Sequence, residues 1–397
     1  MTNRIFHINT SFMNKNIYQL LAILFCIGVV TSCKRAKDPI GPEYKIPSAN
    51  FKFLSDFTAT IPAVNFSINE TESFTAEFSE EVTWKITLKG LSSGASKTFN
   101  GFSMKLDATN NAWTGKHEGL YFFRSGEKVE ATLSFLGSDI AQKDTIDIVW
   151  ARIWDIPGKI ATVVNFEKTA YSFEYQFFDG PSQYFPTYKT TFANKSGVLS
   201  DMSVVTNNQI EGVLRGIDGD TIDGEIMGSI EGDKLYRMAG QDGIYTGTGY
   251  SDYFIGGGGL AKGPYGLDSV PSNVYFNIYV YGTGDLNSKL VVNFGEDDNS
   301  NGTFAEGNQS ENYAVKEDEF TTGIQVNWTG WKLVSVKYSD LTASADGIKA
   351  VNANHKLEPH KVKKVGFVLL SSTKGQKASV RFDFATFTMG KPFNPNE

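Results

Sequence analysis

The stretch Phe276-Asn277-Ile278-Tyr279-Val280-Tyr281-Gly282-Thr283-Gly284-Asp285 decides the fold class. Apolar Phe276, Ile278 and Val280 alternate with Asn277, Tyr279 and Tyr281, the period-two pattern of a strand with one buried face. A glycine-rich turn follows, and the alternation resumes at Leu290, Val292 and Phe294. Together they read as a β-hairpin. The same pattern recurs on either side. Val164 and Phe166 alternate with Asn165 and Glu167; Val380, Phe382 and Phe384 alternate with Ser379, Arg381 and Asp383. Further upstream, Val82 to Leu88 and Lys128 to Phe135 alternate between turns at Gly90, Ser92-Ser93-Gly94 and Ser125-Gly126. No long amphipathic helix interrupts these runs. With 30 Phe and 17 Tyr, residues suited to a pleated, half-buried surface, the expectation is an all-β chain.

Four parts are predicted. Residues 1–32 read as a secretory signal: Arg4 and Lys15 are the only charges, an apolar run covers Leu20 to Val30, and small residues follow. That run is too short for a permanent span, which needs roughly 20 apolar residues. Val30-Thr31-Ser32-Cys33 resembles the lipobox of bacterial lipoproteins, with Val where many carry Leu. The resemblance implies a lipid on Cys33 and a membrane anchor. Residues 33–50, with Pro39, Pro42 and Pro47, read as an extended tether. Residues 51–156 are expected to form a small sandwich that resembles immunoglobulin-like or polycystic-kidney-disease-like modules, ending at Ile156-Pro157-Gly158. Residues 157–397 are expected to form a larger sandwich. Cys26 falls in the signal, so the exported chain keeps one cysteine and no internal disulfide.

The charge excludes one class of partner. Without Arg4 and Lys15 the 37 basic residues become 35, against 44 acidic ones, a net charge of −9. No basic stripe stands out, so no nucleic acid is expected. The chain lacks G-x-S-x-G, H-E-x-x-H and C-x-x-C, and His355 and His360 lie in a polar loop. The chain is therefore expected not to be an enzyme. The rival is glycosidase chemistry, which needs only two carboxylates about 5–10 Å apart.

Trp328-Thr329-Gly330-Trp331-Lys332-Leu333-Val334-Ser335-Val336, followed by Tyr338-Ser339-Asp340-Leu341, resembles a segment of galactose-binding-like jelly rolls found in carbohydrate-binding modules. In that family the opening strand ends in a carboxylate, here Glu167, and the closing strand carries an aspartate, here Asp383. The resemblance implies a jelly-roll sandwich over 157–397 and a structural calcium ion held by Glu167 and Asp383. The whole architecture resembles the surface glycan-binding lipoproteins of starch-utilisation-type polysaccharide uptake systems. It implies capture of a polysaccharide or oligosaccharide at the outer-membrane surface, for a glycan transporter complex, with the first sandwich as a spacer. A hydrolase or lyase accessory and an adhesive or structural lipoprotein are the alternatives.

Two further sets of residues are candidates. Asp297-Asp298-Asn299-Ser300-Asn301-Gly302 matches D-x-N-x-N-G, the start of a calcium loop with Asp297, Asn299 and Asn301 as ligands. Asn308 stands where the closing glutamate would be, and the alternative is a solvated polar hairpin. Sugars stack on exposed aromatic faces. Trp328, beside a Thr-Gly turn, is expected to be exposed and to line a glycan site with Tyr245, Tyr250 and Tyr253. Trp331 is a further candidate, although its strand neighbour Leu333 points it to the core. Trp84 and Trp113 leave the first sandwich open as a second binding unit.

Overall fold

The computed structural model describes residues 45–166 and, from there to 396, all but 167–172, 176–182, 185–189, 194–198, 207–213, 216–220, 224–228, 233, 242–243, 246–251, 303, 305–316, 345–349 and 351–352. The predicted signal, Cys33, Glu167 and Tyr250 lie outside the described residues. Among the described residues no helix is long and apolar enough to cross a membrane.

The chain is all-β, and its first half is one connected sheet. Strands β1 (Phe53–Ala59), β2 (Ala63–Asn65), β3 (Phe74–Gly90), β4 (Ser96–Leu106), β5 (Lys128–Phe135) and β6 (Ala141–Trp150) run in the order β1-β3-β5-β6-β2, with β4 also on β3. The cause is the length of β3, 17 residues. Its first part pairs with β1 and its second with β5, across a register shift between Glu77 and Val82. The sheet closes through side chains: the β1 amides of Phe57 and Ala59 donate to Gln142 Oε1 and Asp144 Oδ2 of β6, both at 2.7 Å. Alternate residues Trp84, Ile86, Leu88, Val129, Ala131 and Leu133 fill the inside. Trp84 and Trp113 are each 1% exposed, so neither offers a face to a ligand.

A turn at Ile156–Ile160, with Gly158 at φ +71°, leads to the larger half. Its strands are β7 (Ile160–Val164), β8 (Phe173–Tyr175), β9 (Gln183–Tyr184), β10 (Thr190–Ala193), β11 (Leu199–Thr206), β12 (Leu214–Arg215), β13 (Thr221–Asp223), β14 (Lys234–Gln241), β15 (Ile244–Tyr245) and β16 (Tyr253–Lys262). They continue with β17 (Val274–Thr283), β18 (Ser288–Glu296), β19 (Glu319–Gln325), β20 (Thr329–Lys337), β21 (Thr342–Ala343), β22 (Val362–Ser371) and β23 (Ala378–Met389). One sheet runs β10-β11-β14-β23-β17-β20, with β7 on β23; the other runs β21-β19-β18-β22-β16-β8-β9, with β15 on β16. Between them lies one apolar core, a β-sandwich of jelly-roll type. Phe276, Ile278 and Val280 of β17 and Leu290, Val292 and Phe294 of β18 all point into it, as the hairpin pattern predicts.

The closing strand departs from its pattern. Val380 and Phe382 face the core, but Phe384 does not. Phe384 takes φ 45°, and the register with β17 shifts between Asn277 and Tyr279. This local irregularity turns Phe384 to the same outer side as Asp383. There Phe384 joins Ile230, Tyr279 and Phe393 around Phe122 and Trp154 of the first half. The Phe122 amide donates to Ile230 O at 2.9 Å. The two halves therefore meet through a packed aromatic cluster, each buried Phe side chain contributing about 1.5–3 kcal/mol of apolar burial.

Candidate ligand-binding face

The register of four adjacent strands sets one row of side chains across the seven-stranded sheet. Arg237 of β14 pairs with Arg381 of β23, Arg381 with Tyr281 of β17, and Tyr281 with Trp331 of β20. Their neighbours Tyr236, Met238, Val380, Phe382 and Val280 point into the core. The row therefore lies on the opposite, outer face. Tyr281 and Trp331 meet edge to face at 5.6 Å and 76°, and the Arg381 guanidinium lies 5.4 Å from the centre of the Tyr281 ring. Both arginines are fully buried, while the two aromatic residues are half-buried. The next row, Asp383, Tyr279 and Leu333, runs under the junction cluster, which Trp331 also touches. One side of the aromatic pair is thus walled by the contact between the halves. The accessible part of either ring can stack the apolar face of a ligand.

The sequence candidates distribute differently. Trp331 is on this face, not in the sandwich core. Trp328 shows the reverse: it packs half-buried against the core, with Nε1 donating to Val280 O at 3.3 Å and Lys332 Nζ 4.8 Å from its ring centre. Tyr245 and Tyr253 pair with each other in β15 and β16, on the other sheet. They are not brought to Trp331. Arg237, Arg381 and Tyr281 were not singled out from the sequence. The available signal was a charged residue between two apolar ones, as in Tyr236-Arg237-Met238 and Val380-Arg381-Phe382.

The calcium candidates also change. Asp383 does not offer free oxygens: it is 0% exposed, and the amides of Ile230 (2.7 Å), Glu231 (3.0 Å) and Phe384 (2.7 Å) donate to it. Burial pushes its pKa up and these donors oppose the shift. In the loop after β18, Asp297 Oδ1 accepts from Asn301 N at 3.0 Å and Oδ2 from Gly302 N at 2.8 Å. Asn299 Oδ1 also accepts from Asn301 N, at 3.0 Å. The oxygens of Asp297 and Asn299 accept from the loop's own backbone, an Asx-type turn. The acids that do converge are the residues on either side of Asp297, Glu296 and Asp298, with Asp318. Burial pushes the Glu296 carboxyl up to about 8, against the pull of the Tyr338 hydroxyl and the Glu358 amide.

No family model matches the chain, and no curated protein does. Solved structures resemble it at the level of fold. One is a family 11 carbohydrate-binding module from Clostridium thermocellum, in complex with a β-1,3-1,4-mixed-linked tetrasaccharide. It is 9% identical, covers 59% of this chain and 98% of its own, and has a TM-score of 0.34. The tandem CBM22-1-CBM22-2 domain of Paenibacillus barcinonensis Xyn10C is 10% identical and covers 87% of this chain and 92% of its own, with a TM-score of 0.23. At such scores the likeness carries no functional weight.

Proposed function

We propose that the chain is a non-catalytic glycan-binding protein and that its ligand rests on Tyr281 and Trp331. The observation that carries this reading is the cross-strand row itself. Two half-buried aromatic rings stand side by side on the outer sheet face, with a buried guanidinium beside one of them. The apolar face of a pyranose can stack on the accessible part of one ring while its edge meets the other. The junction supports the reading in a second way. It fixes the first half against the sheet, so the face is preformed rather than assembled on binding. In this reading the Cys33 lipid anchors the chain in the outer membrane at the cell surface. The bound polysaccharide or oligosaccharide then passes to a transporter or a tethered hydrolase. The test is affinity electrophoresis through gels holding a panel of soluble polysaccharides. Retention by one glycan class without shortening of the polymer supports binding; shortening points to an enzyme.

A further inference from the structure

We propose that Glu296, Asp298 and Asp318 form a calcium site, distinct from the aromatic face. Backbone pairing assembles it: the Glu296 amide at the end of β18 donates to Asp318 O, just before β19, at 2.9 Å. One carboxylate oxygen from each of the three acids lies within 4.8 Å of the others. Oxygens held about 2.3–2.6 Å from one calcium ion can be no further apart than twice that distance, so this spacing fits a single ion.

Two of the three carboxylates, Glu296 and Asp298, are oriented from behind. Glu296 Oε1 accepts from Tyr338 Oη at 2.6 Å, and the Glu358 amide donates to Oε1 and Oε2 at 2.9 and 3.0 Å. Asp298 Oδ2 accepts from Asp318 N at 3.0 Å, and its Oδ1 from Asn354 Nδ2 at 2.9 Å. Such outer contacts fix the angle at which ligand oxygens face an ion.

Asp318 is the observation that calls for a ligand. It is 1% exposed, and its Oδ2 is buried with no hydrogen-bond partner. A buried carboxylate oxygen left without a donor is costly unless a cation meets it. The nearby basic side chains lie against other atoms. His355 Nδ1 stands 3.4 Å from Asp318 Oδ1, and Lys361 Nζ is 2.7 Å from Glu358 and 3.6 Å from Asp298 Oδ1. An all-carboxylate set on a loop suits calcium better than zinc, which favours nitrogen and sulfur.

The test uses the purified chain, stripped with a chelator, then titrated with CaCl2. Calorimetric titration counts ions, and thermal scans read stability. At calcium about 100-fold above its dissociation constant, the melting temperature should rise on the order of 5 °C. Asp318→Asn and Asp298→Asn should each lose that rise and one bound ion, while Asp340→Asn keeps both. In chelator, Asp318→Asn should melt at or above the wild type, because like charges no longer crowd. A wild type without calcium uptake overturns the proposal. So does an undiminished response in both variants.

Discussion

Phe122→Ala probes the junction between the two halves. Phe122 is 2% exposed, with ring centres of His117 at 4.1 Å, Phe384 at 4.9 Å, Trp154 at 5.1 Å and Tyr279 at 5.9 Å. Truncating a buried Phe costs about 3–5 kcal/mol, through lost transfer energy and the cavity left behind. The upper part of that range applies here, because β17 and β23 of the second half and loops of the first hold the walls apart. The backbone bond from Phe122 N to Ile230 O survives the change, so the loss isolates the ring. Calorimetry of the wild type should give a single transition. The variant should melt on the order of 10 °C lower and split into two transitions, as coupling between the halves weakens. A single unshifted transition, with a loss under about 1 kcal/mol in urea, would refute a junction held by this ring.

His117 should make the protein acid-sensitive. It is 1% exposed, and burial, then Arg152 and Lys97, lower its pKa from 6.5 to about 4. Between those values the unfolded chain binds a proton that the folded chain does not. Stability is therefore full above about pH 6.5, falls as pH drops to about 4, and loses at most about 3 kcal/mol. Urea midpoints across that range should fall less steeply for His117→Leu. Gly101→Ala should also destabilise, by about 1–3 kcal/mol in urea unfolding, since its Cβ would lie 2.1 Å from Trp84 Cζ2.

Much of the strand pattern could be read directly, because alternation reports which side a residue faces. It reported sides correctly even where the meaning was missed. Trp331 and Leu333 do share a face, yet that face is the outer one. It is apolar because the first half packs nearby, a fact no local pattern carries. Phe384 breaks alternation through a positive φ that its residue type does not announce. The D-x-N-x-N-G template starts at Asp297, one residue from each of the two loop acids that converge. Glu296 and Asp298 meet Asp318 only through the pairing of β18 with β19, about twenty residues on in the chain. The buried Arg237 and Arg381 were visible as charges inside apolar strands, but only the cross-strand register ties them to Tyr281.

Glycan retention of wild type, Trp331→Ala and Trp328→Ala, each checked for an intact melting transition, tests the central claim most directly. The account predicts that one glycan class retards the wild type. Trp331→Ala should weaken binding about tenfold or more, since losing one stacked ring costs roughly 1–2 kcal/mol, and Trp328→Ala should bind nearly as wild type. Equal retention of wild type and Trp331→Ala, or no retention of folded wild type across a broad panel, would contradict it.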